Sequence, residues 1–293
     1  MQGLVLLDKP EGITSFGAVA AVRKIFNQKR IGHTGTLDPF ATGVLPVLLG
    51  RATRLSSYIL ESDKSYLAEI KLGITTDTLD ITGNVLNRCD ADFTREEIEQ
   101  ALVNFRGKIL QQPPMFSAIH QDGVRLYQLA RQGKTIDRPK REVEIFSNEI
   151  VSFEDDTLLL SVNCSKGTYI RSLADDIGNF LGCGATVSKL RRTKSSNFSI
   201  EQCVSLEQLR KNPEKYILSP EKAVEHLDTV NVTQNQAKRI LNGGAIFLNR
   251  CGADDTDEKL YKIKYNDEFI ALGQVDSAKG LLNIKCIIKE ENN

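Results

Sequence analysis

Nowhere in its 293 residues does the chain hold an uninterrupted apolar run approaching the roughly 20 residues that a membrane span needs. Its first residues, Met1-Gln2-Gly3-Leu4-Val5-Leu6-Leu7-Asp8-Lys9, carry no basic start and reach charge too early for a secretory leader. Histidine occurs three times, and the six cysteines (Cys89, Cys164, Cys183, Cys203, Cys251 and Cys286) are scattered with no Cys-x-x-Cys pair. Metal-ligand spacing and a disulfide framework are both unsupported, so a reduced, cytoplasmic chain without a metal is expected. No Gly-x-Gly-x-x-Gly or Walker loop is present to cradle a phosphate. The formal net charge is zero, which on its own gives no pull toward nucleic acid.

What is there is ordinary in amount and uneven in distribution. At 41% hydrophobic and 26% charged residues, the chain has the composition of a globular protein, with length for a sizeable core and more than one domain. Between His120 and Arg141, six basic residues (Arg125, Arg131, Lys134, Arg138, Lys140 and Arg141) stand against only Asp122 and Asp137. From Thr186 to Lys194, Lys189, Arg191, Arg192 and Lys194 have no acid among them. Acid gathers elsewhere, as in Asp254-Asp255-Thr256-Asp257-Glu258. Charge runs are solvated faces by default, but two of them beside unusual motifs are candidate phosphate contacts.

Periodicity outlines the elements. A strand over 3–7 leads through a turn cluster to a helix capped by Thr14 or Ser15 and running to about Phe26. A short helix is expected around 55–60. Residues 65–72 alternate with period two, placing Tyr66, Ala68, Ile70 and Leu72 on the apolar face of a half-buried strand. A polar loop spans 75–83. Thr94-Arg95-Glu96-Glu97 is a capping box opening a helix with Ile98, Ala101, Leu102 and Phe105 inward, and Gly107 closes it. Pro113-Pro114 cannot donate to a ladder, so 107–141 reads as a basic, mobile insertion between core elements.

Strands resume at 143–153 and 158–164. Ile170, Leu173, Ala174, Ile177 and Leu181 then keep helical spacing. Tyr169 is thereby placed at a strand-to-helix junction and Arg171 in the first turn, where a cation opposes the helix dipole by roughly 0.3–1 kcal/mol. A position that local physics disfavours hints at a carboxylate partner elsewhere in the fold. Residues 211–230 read as a charged connector. From 231 a capped helix at Thr233 and strands at 245–248, 261–265, 269–275 and 281–288 suggest a small, separate β-rich domain.

One stretch stands out as a candidate site: Arg30-Ile31-Gly32-His33-Thr34-Gly35-Thr36-Leu37-Asp38-Pro39-Phe40-Ala41-Thr42-Gly43. Proline fixes its own φ and forces the preceding residue into extended geometry, so Asp38 sits on a rigid bend with no acid beside it. An isolated Asp-Pro is ordinarily a turn. Here an apolar run, Val44-Leu45-Pro46-Val47-Leu48-Leu49, follows at once and anchors the loop beside buried structure.

Taken in order, Asp8-Lys9-Pro10-x-Gly12-x-Thr14-Ser15, then Gly32-His33-Thr34-Gly35-x-Leu37-Asp38-Pro39-x-Ala41-Thr42-Gly43, then Tyr66-x-Ala68 with Leu72-Gly73 and Thr76-Asp77-x-x-Asp80, then Lys166-Gly167-Thr168-Tyr169-Ile170-Arg171-Ser172 resemble the TruB-type pseudouridine synthases. The resemblance implies an α+β fold: a mixed, mostly antiparallel central sheet flanked by helices and loops, with a small C-terminal β-rich domain similar to the PUA type. It implies a catalytic domain over 1–230, an RNA-grasping insertion at 107–141 and the PUA-like domain over 231–293. The implied reaction isomerises uridine to pseudouridine at position 55 in the T loop of tRNA. No cofactor or metal is implied, and the implied partner is the tRNA T stem-loop, met by a monomer with no membrane and no obligatory protein partner.

Roles follow from the same resemblance. Asp38 corresponds to the essential carboxylate, attacking C1′, attacking C6 or deprotonating C2′. Arg171 supplies the charge that holds it ionised. Tyr66 stacks on the target base and handles a proton at C5; without the resemblance it is a core tyrosine. His33 fills the position that the flipped-out uridine leaves. Tyr169 and Leu190 line the base pocket, Asp80 meets the flipped-out RNA, and Lys9 joins this substrate-binding set as a support of the pocket wall. Phosphate contacts are expected from Arg125, Arg131, Arg138, Lys140, Arg141, Lys189 and Arg191. Two rival readings stay open: a guide-RNA-dependent synthase acting inside a ribonucleoprotein, and a non-catalytic RNA-binding or RNA-folding protein.

Overall fold

The computed structural model describes residues 1–59, 63–121 and 123–289. Leu60, at the end of the short helix expected around 55–60, and Asp122, in the first basic run, lie outside the described residues. The remainder of that helix divides into a 3₁₀ turn over Gly50–Leu55 and α2 (Ser56–Ile59).

Alternation does the main work of the fold. Tyr66, Ala68, Ile70 and Leu72 all point inward from β4 (Lys64–Leu72), as period two requires. That strand lies inside a nine-stranded sheet. The main path of the sheet runs β1 (Gly3–Lys9), β3 (Thr42–Leu49), β12 (Ala185–Ser195), β4, β11 (Thr157–Cys164), β10 (Arg141–Glu154) and β7 (Gly107–Gln111). Short strands β2 (Ile31–His33) and β13 (Phe198–Ser199) attach to β3 and β12. Every pairing is antiparallel except β3 with β12, parallel at Arg191↔Thr42 and Arg192↔Gly43. The architecture is the α+β one, mostly antiparallel, that the sequence implies.

Local signals start the helices where the sequence places them, though the helix opened at Thr94 stops at Val103, short of the expected Phe105 and Gly107. Thr14 caps α1 (Ser15–Phe26) by accepting from Gly17 N at 2.9 Å, and Asn27 ends it in the left-handed region. The Thr94–Glu97 box opens α3 (Arg95–Val103), worth about 1 kcal/mol for such a cap. The helix α5 (Ile170–Leu181) buries Ile170, Leu173, Ala174 and Ile177 and closes at Gly182. Helices α3 and α5 pack their apolar stripes with β4 and β11 in one core, while α1 packs against β1 and β3 in another.

Three expectations change. Residues 107–111 are the edge strand β7, registered on β10 from Gly107↔Ile145 to Gln111↔Arg141, so the insertion begins only after Gln111. It contains the hairpin of β8 (His120–Gln121) and β9 (Val124–Arg125) and the short helix α4 (Leu126–Ala130). The loop expected over 75–83 begins as β5 (Ile74–Thr76), paired with β6 (Val85–Arg88). The basic run Thr186–Lys194 is a strand with an apolar face, since Val187, Leu190 and Arg192 are all buried.

The connector reading of 211–230 also gives way. Past α6 (Leu206–Lys211), Leu218 exchanges backbone hydrogen bonds with Leu4 at 2.9 and 2.8 Å, and Ala223 and Val224 are buried. A second sheet runs β14 (Asp228–Asn231), β16 (Leu260–Tyr265), β17 (Glu268–Asp276), β18 (Leu281–Ile287) and β15 (Ile246–Phe247), with α7 (Gln234–Leu241) against it. This unit therefore starts before residue 231. Nor is it separate, because Phe269, Leu272, Cys286 and Ile288 share one core with Leu4, Val44, Leu48 and Leu55. No helix of the described residues is long and apolar enough to cross a membrane.

Candidate active site

A cavity of about 960 Å³ opens where the β2–β3 loop, β4, the 78–82 segment, the insertion, the start of α5 and β12 converge. The β2–β3 loop is fixed from several sides. Ser15 Oγ donates to Leu37 O at 3.0 Å and accepts from Leu37 N at 2.8 Å, both buried. Pro39 O accepts from Gly12 N at 2.9 Å and from Lys9 Nζ at 3.2 Å. Gly43 allows the loop to meet β12: its φ is +106°, and a Cβ there would lie 2.2 Å from Arg192 O.

On the cavity floor, Asp38 Oδ2 lies 2.9 Å from Nε of Arg171. The arginine side chain is 3% exposed and the carboxylate 33%, so the acid faces the cavity while its partner is sealed behind it. The rest of the guanidinium is consumed by fixed acceptors: Nη1 donates to Thr78 O at 2.9 Å and Nη2 to Phe116 O at 2.8 Å. Asp80 Oδ2 stands 3.6 Å from Nη1. The other oxygen of Asp80 accepts from Thr78 Oγ1 at 3.0 Å and Thr82 N at 3.1 Å, so this acid is anchored in its own loop. Burial pushes the Asp38 carboxyl above its ordinary value, Arg171 pulls it down, and Asp80 pushes it up again. Asp38 is thus an acid held by a buried cation and made more basic by its surroundings.

Two tyrosines and a leucine wall the cavity. Tyr66 and Arg192 are cross-strand partners on β4 and β12, and Ala68 and Leu190 are the next such pair. Burial raises the Tyr66 phenol, and the guanidinium of Arg192, hydrogen-bonded to it, opposes that rise. Arg192 is 1% exposed, donating from Nε to Val44 O at 2.8 Å and from Nη2 to Gly35 O at 3.0 Å. Among the described residues it has no carboxylate in ion-pair range. Tyr169 forms the N-cap of α5 without a capping side chain of its own. Burial raises its phenol as well, with Ser117 opposing.

The structure thus gathers Asp38, Tyr66, Asp80, Tyr169, Arg171 and Leu190 around one space. Lys9 is not on it. Its ammonium is buried behind the loop, donating to Pro10 O at 2.8 Å, Ile13 O at 2.7 Å and Pro39 O at 3.2 Å, and burial lowers its pKa to about 8. Its place is behind the Pro39 carbonyl of the loop, away from the cavity surface. His33 lies beside the mouth, edge-on to Phe16 with ring centroids 5.3 Å apart. Its pKa is lowered by burial and then by Arg192.

The expected phosphate contacts divide. Arg125 and Arg131 line the mouth, and Lys140 and Arg141 are exposed. Arg138 is half-buried and donates from Nη1 to Pro113 O at 3.0 Å, clamping the insertion to itself. Lys189 pairs with Glu69 of the adjoining β4 at 3.0 Å, and Arg191 reaches past β3 to Asp8 of β1 at 2.8 Å. Sequence reasoning missed Arg192 as a buried member of the site, Gln111 as the group that engages both the N–H and the C=O of Tyr169, and Phe16 at the mouth. Only the Tyr66 alternation, continued into β12, carried a signal for the first of these.

Residues 23–170 match the TruB family pseudouridylate synthase N-terminal domain, and 171–229 match the tRNA pseudouridylate synthase B C-terminal domain. The chain is 43% identical to tRNA pseudouridine synthase B of Clostridium perfringens, across 99% of this chain and 100% of that protein. It is 44% identical to the Clostridium kluyveri protein of the same name, over 93% and 95%. Among solved structures it resembles a chain of an H/ACA RNP bound to a substrate RNA containing 2′-deoxyuridine, with TM-score 0.77, 28% identity, and 99% and 86% of the two chains covered. A Cbf5-Nop10-Gar1 complex gives TM-score 0.73 and 31% identity, over 99% and 84%.

Proposed function

The chain belongs to the TruB family of pseudouridylate synthases, and from its site we infer that it isomerises uridine to pseudouridine in tRNA, at position 55 of the T loop. In that reaction the N1–C1′ bond breaks, the base turns, and C5 bonds to C1′. The proton that leaves C5 is balanced by one gained at N1. No atom is added, so the protein has to supply position, charge and proton transfer.

One observation carries the reading: the Asp38 carboxylate, held against a sealed arginine on the floor of a cavity walled by tyrosines. A binding protein has no use for a reactive acid so arranged. We assign Asp38 as the catalytic carboxylate, with Arg171 keeping it ionised and aimed at the bound nucleotide. Tyr66 and Leu190 sandwich the flipped-out base, and Tyr66 receives the C5 proton. Tyr169 closes the sugar side, and Asp80 holds Arg171 while facing RNA. His33 takes the place vacated in the loop, since a uridine in a folded loop is reached only by flipping, at a few kcal/mol of unstacking.

We further propose that Arg125, Arg131, Lys140 and Arg141 meet phosphates as the insertion closes on the T stem-loop, and that the C-terminal unit is a PUA-like RNA-binding domain. The enzyme acts alone in this reading: a cytoplasmic monomer with no cofactor, metal or obligatory protein partner. Full-length coverage of bacterial synthase relatives supports it over a guide-RNA-dependent reading. Purified protein incubated with a bare T stem-loop transcript, followed by mass mapping, should yield pseudouridine at the target. Product that forms only with a guide RNA present would overturn the stand-alone assignment.

A further inference from the structure

We propose that Phe16 is a stacking platform for a second RNA base, the neighbour of the uridine that enters the cavity. The proposal rests on the tRNA-synthase reading above and adds a subsite to it. Phe16 is the second residue of α1, and Ser15 before it turns inward to hold Leu37, so the next side chain projects outward. Its ring is 60% exposed, although the helix buries Ala18, Val19 and Val22 and needs nothing from position 16.

The ring lines the mouth of the same cavity that has Asp38 on its floor. At about 960 Å³ that cavity is at the upper end of the roughly 300–1,000 Å³ that holds a drug-sized ligand, more than one uridine needs. Whatever occupies the mouth while uridine occupies the floor is joined to it by the same RNA strand. Its neighbours also suit a nucleotide. The guanidinium of Arg125 sits 5.9 Å from the ring centroid on one face, and the imidazole of His33 braces the ring edge-on at 79°. An aromatic face beside a guanidinium offers a base its stack and the adjoining phosphate its charge. Arg125 covers the ring through an exposed cation–π contact, which is weaker than base stacking, so RNA can displace it.

The test uses the full-length protein and T stem-loop RNAs carrying the fluorescent base 2-aminopurine at each position flanking the target in turn. Phe16→Leu keeps an apolar side chain without a stacking face, and Phe16→Tyr keeps the face. Position 16 is exposed, so melting temperatures should match wild type. The expected result is that Phe16→Leu weakens binding by about tenfold while Phe16→Tyr stays close to wild type. One 2-aminopurine position should be quenched by wild type and Phe16→Tyr but not by Phe16→Leu. Equal affinity and equal quenching for Phe16→Leu would overturn the proposal, and so would tighter binding, which would make the ring a latch for Arg125. Wild-type protein that makes no pseudouridine in the same stem-loop would overturn the functional reading instead, so the two failures are distinguishable.

Discussion

The side-chain amide of Gln111 accepts from Tyr169 N at 2.7 Å and donates to Tyr169 O at 3.0 Å, engaging both backbone polar groups of one residue. Tyr169 starts α5 without a side-chain cap, and the last residue of edge strand β7 fixes the backbone of that N-cap residue from outside. The insertion leaves the sheet at that residue, which ties its root to the helix that carries Arg171. Gln111→Leu should leave the half-buried Tyr169 N–H without its acceptor, while Tyr169 O keeps the hydrogen bond from Leu173 N, and cost about 1–3 kcal/mol of stability. Thermal unfolding reads the cost, and turnover should fall with it as Tyr169 and Arg171 shift. An unchanged melting temperature would exclude this role.

Asp38→Asn should lower turnover by more than about 10³-fold while tRNA affinity stays within about tenfold. Its effect on stability should be small. Losing one partner of a buried ion pair ordinarily costs about 3–5 kcal/mol, but the raised carboxyl shows that burial outweighs the pull of Arg171. Arg171 also keeps Thr78 O, Phe116 O and Asp80. Single-turnover assays and melting curves on the same preparation separate the two effects. Retained pseudouridine formation would refute the catalytic assignment.

The acid side of the pH–rate profile should report Asp38. A carboxylate that must be ionised loses activity as pH falls through its pKa, and this pKa lies above the ordinary 3.8. Asp80 raises it, so Asp80→Asn should move the acid limb to lower pH. The plateau rate should fall as well, because Arg171 loses the carboxylate 3.6 Å from Nη1. A limb that does not move between wild type and Asp80→Asn would mean another group titrates.

Lys9 makes stability depend on pH in the opposite sense to a paired lysine. Its folded pKa, about 8, lies below the ordinary 10.5, so the unfolded chain binds more protons between those values. Stability should therefore rise with pH across that window, and the burial penalty should be fully present below it. Lys9→Met should flatten the slope in urea unfolding and slow turnover, since Pro39 O loses a donor behind Asp38. A slope that survives the substitution would assign it to other groups.

Among the basic residues, exposure distinguishes anchors from RNA-facing groups. Lys140→Gln with Arg141→Gln should weaken RNA binding and reduce the salt slope by about 0.7–0.9 for each phosphate that the two cations neutralise in wild type. Arg138→Gln should instead disturb the insertion, because its guanidinium holds Pro113 O. Binding titrations at several salt concentrations check the first effect. An unaltered slope for the double variant would place the phosphates elsewhere.

Local pattern is decisive where a few neighbouring residues settle the structure. The alternation from Tyr66 to Leu72, the Thr94–Glu97 box and the Asp38-Pro39 bend each depend on contacts within a strand face, a helical turn or one ring. They were legible for that reason. The first-turn position of Arg171 was a local anomaly, and a partner such as Asp38 could be suggested, but the 2.9 Å contact exists only because α5 packs on the sheet beside the β2–β3 loop. Arg192 shows the limit. In the chain it belongs to a basic run, which composition reads as a solvated face. In the fold its register opposite Tyr66 turns it inward, while its neighbours Arg191 and Lys189 meet acids on flanking elements. A one-residue slip of β12 would exchange those faces, and register is fixed by pairing between distant segments. The ingredients of the site were local, and their arrangement was decided by strand pairing.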